Sequence, residues 1–250
     1  MAKRPTLGTI RFTGSPWPKG HAIEKLAWSG RLDPKTGVWF DLHLETADFD
    51  ANDKSRDDDE DGDEDDDWKS KMVWENYESA VLSSTKWENE HTGFLVGTRK
   101  APLDFSASGL AKKSFAVDPA PLPKKRAFGL YAIGHNTPGN HKIRFKPAGR
   151  GASFESAAVE WSGKLSLSFD VHGKGAKLDH AFSVAIPKAT FEGFRVADGV
   201  SVADARAAIA AFVRAPTAFD FVKRKGKLWA VPSPFPADTR GPQRKKARST

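Results

Sequence analysis

Two Asp-x-His pairs, Asp41/His43 and Asp170/His172, are spaced for joint chemistry. On a strand, residues i and i+2 project from one face, about 7 Å apart. A carboxylate beside an imidazole can orient a general base or supply two ligands to a metal. These four residues are the metal candidates, and a metal-dependent enzyme acting at these strand faces is one reading of function. Both pairs fall on the polar side of an alternating pattern, so the plainer reading is a wet strand face. The spacing His135-x5-His141 matches no standard metal signature, and His180 falls on an apolar strand face, as a core histidine would. The chain has no cysteine, which excludes disulfides, thiolate metal sites and a cysteine nucleophile. It carries no P-loop, no Gly-x-Gly-x-x-Gly after a strand, no Gly-x-Ser-x-Gly and no His-Glu-x-x-His. A non-catalytic role without a cofactor is the expectation.

The second group is a polyanion. Asp57, Asp58, Asp59, Glu60, Asp61, Asp63, Glu64, Asp65, Asp66 and Asp67 put ten carboxylates into eleven positions, with no basic residue among them. Acids at loop positions 1, 3 and 5 and Gly62 at position 6 fit an EF-hand, but position 12 is Trp68 where a bidentate Glu belongs. Nonspecific divalent-cation binding is therefore expected, not a calcium loop. Such a run can dock a basic protein surface, compete with nucleic acid for the chain's own cations, or act only as a solubilising loop.

The third group is basic and aromatic. The net charge is +7, yet without the acidic run 39 basic residues face only 22 acidic ones. Arg11, Arg31, Arg144 and Lys164 sit at strand positions, Lys223, Arg224 and Lys225 form a cluster, and Trp39 projects from the polar side of its strand. Cations interleaved with exposed aromatics suit phosphate contacts and base stacking, so these eight are the candidate nucleic-acid contacts. No RRM, KH, homeodomain or zinc-finger signature accompanies them, and solvated surface charge is the plainer reading.

The elements that must position these residues are strands. Val38, Phe40, Leu42 and Leu44 alternate with Trp39, Asp41, His43 and Glu45; Leu26, Trp28, Gly30 and Leu32 alternate before them. Asp33-Pro34-Lys35-Thr36-Gly37 joins the two as a hairpin turn. A long run, Val159 to His172, alternates in the same way, and 176–186 pairs with it as a second hairpin. Trp28-Ser29-Gly30-Arg31-Leu32 recurs as Trp161-Ser162-Gly163-Lys164-Leu165, and Ile10-Arg11-Phe12 as Ile143-Arg144-Phe145. His135 to Asn140 reads as a turn-rich loop, and Ser106 to Arg126 as an extended, Pro-rich connection. Ser201-Val202-Ala203-Asp204 opens a helix whose Val202, Ala205, Ile209, Phe212 and Val213 share a face.

These patterns predict a mainly β protein of two related antiparallel, sandwich-like modules from a tandem duplication, with one short helix in the second. The first module spans 1–117 with a disordered acidic insertion at 51–67; a linker at 118–126 leads to the second at 127–236, and a basic disordered tail fills 237–250. No apolar run approaches the roughly 20 residues of a membrane-spanning helix, and the first twelve residues lack the apolar core of a signal peptide. A cytoplasmic, non-membrane protein is expected, its oligomeric state open. The leading function is macromolecular binding: an inhibitor- or immunity-type protein, of the kind bacteria make, setting its acidic loop against a basic protein partner. The alternative is nucleic-acid binding, with the acidic run as internal competitor.

Overall fold

The computed structural model describes residues 6–49, 67–84, 93–147, 156–167, 175–214 and 219–233. The acidic run up to Asp66, the Asp170/His172 pair and the basic tail lie outside the described residues. The strands are β1 (Gly8–Phe12), β2 (His21–Asp33), β3 (Gly37–Thr46), β4 (Val81–Ser83), β5 (Phe94–Gly97), β6 (Leu103–Asp104), β7 (Ser114–Val117), β8 (Gly129–Ala132), β9 (Gly134–Pro147), β10 (Ser156–Ser166), β11 (His180–Val196), β12 (Val213–Arg214), β13 (Phe219–Arg224) and β14 (Lys227–Pro232). The chain is mainly β, and nearly all of the strand pairs are antiparallel.

Eight of these strands pair in a ring. The order β1-β2-β3-β4-β8-β9-β10-β11 returns to its start because β11 also pairs with β1, through Thr9↔Ala185 to Phe12↔Phe182. Closure removes the free edges that an open sheet must otherwise protect. Strands before and after residues 118–126 thus share one sheet and one hydrophobic core. Alternation explains the inside: Ile10, Phe12, Val38, Phe40, Leu42, Ile143, Phe145, Val159 and Trp161 are buried, while Arg11, Lys142, Arg144 and Glu160 between them are exposed.

The 17-residue β11 closes the ring. Its first half lies between β10 and β1, and its second half turns to pair in parallel with β2. Each half seats a phenylalanine on a glycine of the repeated Trp-Ser-Gly-x-Leu motif: Phe182 opposite Gly163, and Phe194 opposite Gly30. A Cβ on either glycine would stand 2.5 Å from a ring carbon of its phenylalanine. The motif's other members match in kind, with Trp28, Trp161, Leu32 and Leu165 all buried. Trp28 also stacks on Phe145 at 4.5 Å, joining β2 to β9 across the core.

Several expectations need correction. The strand predicted to run to His172 ends at Ser166. The extended connection from Ser106 contains a helical turn, α2 (Ala107–Ala111), and strand β7, which pairs with β9. Asp118 then ties the chain down: it is buried, and its carboxylate accepts the backbone N–H groups of Ala127 and Phe128. His135 to Asn140 is not a loop but the start of β9. A bulge there, with Asn140 at φ 51°, lets the strand continue; asparagine tolerates this region better than most residues.

The helix opened by Ser201 is α3 (Val202–Phe212); the serine oxygen accepts from the Asp204 N–H, and Ala205, Ile209 and Phe212 are buried. Val202 departs from the expected face and is exposed. Two single-turn helices were not predicted: α2, and α1 (Lys71–Glu75). Each is capped by a serine, Ser106 or Ser70, but five residues are too few to show a helical period.

Gly163→Ala and Gly30→Ala should each lower stability by about 1–3 kcal/mol through overpacking against β11. Gly199→Ala, where a Cβ meets nothing within 4 Å, tests backbone strain alone, because that glycine sits at φ +80°. Urea midpoints read the comparison. A midpoint unmoved at Gly30 or Gly163 would contradict the seating.

Candidate functional site

On the outer surface, register aligns four large side chains. Arg31 on β2 stands opposite Trp39 on β3. The parallel pairing places Arg195 of β11 beside Arg31, and Trp229 of β14 stands opposite Arg195. Each faces outward because its strand neighbours, Leu32, Phe40, Phe194 and Ala230 among them, are buried. The result is a row, Trp39–Arg31–Arg195–Trp229, across four adjacent strands. At about 4.8 Å per strand it spans roughly 14 Å.

The row is held in place by its own contacts. The Arg31 guanidinium lies 4.9 Å from the centre of the Trp39 ring, a cation–π distance, and Trp39 Nε1 donates to Thr36 Oγ1 at 3.2 Å. At the other end Arg224 lies 5.8 Å from the Trp229 ring and donates to the Glu192 carbonyl. Lys225 and Gly226, both at positive φ, make the two-residue turn that returns β13 into β14. Lys227 binds Asp198 at 2.7 Å and holds its carboxyl below the usual carboxylate range; Arg195 lies 3.9 Å from the same oxygen.

Between the arginines the surface sinks into a depression of about 390 Å³, lined by Ser29, Arg31, Asp41, Arg195, Asp198 and Trp229 among others. A second depression of about 310 Å³ adjoins it through Asp198 and brings in Lys223 and Lys227. Asp41 is the unusual member. It is mostly covered, packed against the Gly93 backbone, and burial pushes its carboxyl up to about 6, with Arg31 pulling the other way. Among the described residues no donor hydrogen-bonds to it.

Of the eight sequence-derived cation and aromatic candidates, Arg31, Trp39 and Arg224 gather on this face; Lys223, one register position from Trp229, points to the other face and lines only the adjoining depression, and Lys225 sits in the β13–β14 turn. Arg11, Arg144 and Lys164 lie elsewhere, on the outer face of β1, β9 and β10, where the register Lys142–Ser162–Ser183–Arg11 crosses four strands beside a depression of about 320 Å³. Sequence reasoning missed Arg195 and Trp229. Alternation marks both as outward-facing, but only the parallel β2–β11 pairing brings them into the row, and no local pattern announces that pairing.

The Asp-x-His pair on β3 separates in role. His43 Nδ1 lies 3.0 Å from Ser83 Oγ, and burial lowers its pKa, while Asp41 faces the depression. Among the described residues no three His, Asp or Glu side chains gather as metal ligands would. Asp67, the only described member of the acidic run, is exposed; Trp68 beside it is buried. His180, expected in the core, is half-buried against the Trp68 ring at 4.5 Å.

Two other histidines are core residues. His141 accepts from Trp161 Nε1 at 3.1 Å through Nδ1, which leaves its proton on Nε2, 3.8 Å from Asp118. His21 lies among Phe12, Trp17, Phe49 and Trp74. Burial pushes His141 down to about 3 and His21 to about 4. No helix among the described residues is long and apolar enough to cross a membrane. No family model, curated protein or solved structure matches the chain.

These groups set the pH response. The unfolded chain protonates His21 and His141 near 6.5. Their folded pKa values are lower, so stability is full above that pH and falls as acid is added, by on the order of 3 kcal/mol for His21 alone near pH 4. Asp41 acts in the opposite sense. Its folded pKa exceeds its unfolded value, so stability falls as pH rises from about 4 to about 6. Asp41→Asn should therefore raise the urea midpoint above pH 6 and lose that advantage at pH 4. An equal effect at both pH values would contradict the burial of an ionised Asp41.

Proposed function

We propose that this protein is a non-catalytic binder of single-stranded nucleic acid, and that the row Trp39–Arg31–Arg195–Trp229 is its contact surface. The row is the observation that carries this reading. Two aromatic faces with two guanidinium groups between them offer stacking to bases and charge to phosphates, and stacking tolerates any base because every base has a π-face. Arg224 extends the cationic surface along the hairpin of β13 and β14. Arg11, Lys142, Arg144 and Lys164 supply further phosphate contacts around the ring. The acidic run of 57–67 acts as an internal competitor for these cations. The two halves of the ring descend from one duplicated unit, a reading favoured by the like environments of Gly30 and Gly163.

A second reading has one observation in its favour. Phe49 and Trp68, the aromatic residues that flank the acidic segment, both pack on Trp74, at 5.1 and 4.9 Å. The two sides of the acidic segment are thus anchored in one aromatic cluster, which favours a segment presented to a basic protein partner.

Fluorescence anisotropy with a mixed-sequence single-stranded oligonucleotide, at low and physiological salt, tests the main reading. Binding should weaken steeply with salt. Trp229→Ala should cost about 1–3 kcal/mol. Arg195→Ala should reduce the salt slope by about one unit. Deleting residues 57–66 should tighten binding. No binding at low salt, with or without the deletion, would overturn the reading and turn attention to a protein partner.

A further inference from the structure

The depression between the arginines holds a carboxylate that the binding of a generic polyanion does not need. Asp41 is mostly covered, lines the cavity with Arg31, Arg195 and Trp229, and has no hydrogen-bond donor among the described residues. A phosphate would be repelled by it. A half-buried carboxylate that lines the cavity without a protein donor is open to a ligand carrying N–H groups.

The donor sets of the bases differ. Guanine alone presents two adjacent N–H donors, at N1 and N2, which match the two oxygens of a carboxylate. Beside them it presents the O6 and N7 acceptors that an arginine reads in bidentate fashion. In cytosine and adenine the amine stands next to a ring-nitrogen acceptor that a carboxylate repels. Thymine and uracil flank their single N–H with two carbonyls. Arg31 and Arg195 stand opposite each other across β2 and β11, so one guanidinium can serve O6 and N7 while the other holds a phosphate. Trp229 supplies a stacking face, and about 390 Å³ accommodates a nucleotide.

We propose that this depression is a guanine-selective nucleotide subsite: Asp41 accepts from guanine N1 and N2, Arg31 or Arg195 donates to O6 and N7, and Trp229 stacks on the base. The proposal rests on the nucleic-acid reading and adds base selectivity to it.

The test compares three short oligonucleotides: all thymine, thymine with one central guanine, and thymine with one central hypoxanthine, which lacks the N2 amine. The guanine oligonucleotide should bind roughly 5- to 150-fold more tightly than the thymine one, with hypoxanthine between them. In Asp41→Asn the ratio of guanine to thymine affinities should fall towards one. Thermal melting checks that the variant is folded. Arg195→Leu, altered at an exposed position, should weaken all three oligonucleotides. Equal affinities for the three, unchanged by Asp41→Asn, would overturn the selectivity and leave the nucleic-acid reading standing. Failure of all three to bind at low salt would remove both.

Discussion

The fold depends on two phenylalanines of one strand finding two glycines on two others. Phe182 and Phe194 reach the core from β11, and each needs a partner with no side chain of its own: Gly163 on β10 and Gly30 on β2. Were either glycine any larger residue, its Cβ would stand 2.5 Å from the phenylalanine ring, and the ring or its strand would have to shift. The chain instead spends 17 residues on a single strand that touches β1, β2, β10 and β14 in turn. Burial of rings this size is worth on the order of 2–3 kcal/mol each, enough to matter to a domain of marginal stability.

The outer surface inherits its order from that inner seating. Phe194 faces in, so Arg195 must face out, and the parallel pairing that seats Phe194 on Gly30 necessarily sets Arg195 beside Arg31. Two like charges in register are unfavourable alone. Trp39 lies beneath the Arg31 guanidinium, and Asp41 and Asp198 border the same depression, so the charge is moderated without being cancelled. It is this combination of outward cations and aromatic faces that the proposed binding of single-stranded nucleic acid draws on.

Much of the local structure was legible in the sequence. The β2–β3 hairpin follows from strict alternation on both sides of Asp33-Pro34-Lys35-Thr36-Gly37, and α3 follows from its serine cap and apolar spacing. The repeated Trp-Ser-Gly-x-Leu motif pointed to something shared by two strands, but not to its cause, since the phenylalanines that demand the glycines lie outside the motif. What escaped had one of two reasons. Some elements are too short or too irregular for a period to register, as with α1, α2 and the bulged start of β9. Others depend on long-range pairing: Arg31 and Trp39 were legible as surface candidates, whereas Arg195 joins them only through the pairing of β11 with β2, strands far apart in sequence, and Trp229 follows through its pairing with Arg195.

The parallel contact of β2 with β11 is where fold and site meet, and it can be measured directly because the chain has no cysteine of its own. A double variant, Arg31→Cys with Arg195→Cys, places two thiols on partnered residues of adjacent strands, within the Cα separation of about 4.4–6.8 Å that a disulfide spans. Mild oxidation of the folded protein, followed by mass spectrometry of its peptides, should show the two cysteines joined within one chain. Thiols that remain free while the protein is folded would contradict the parallel pairing of β11 with β2, and with it the row of side chains on which the proposed function stands.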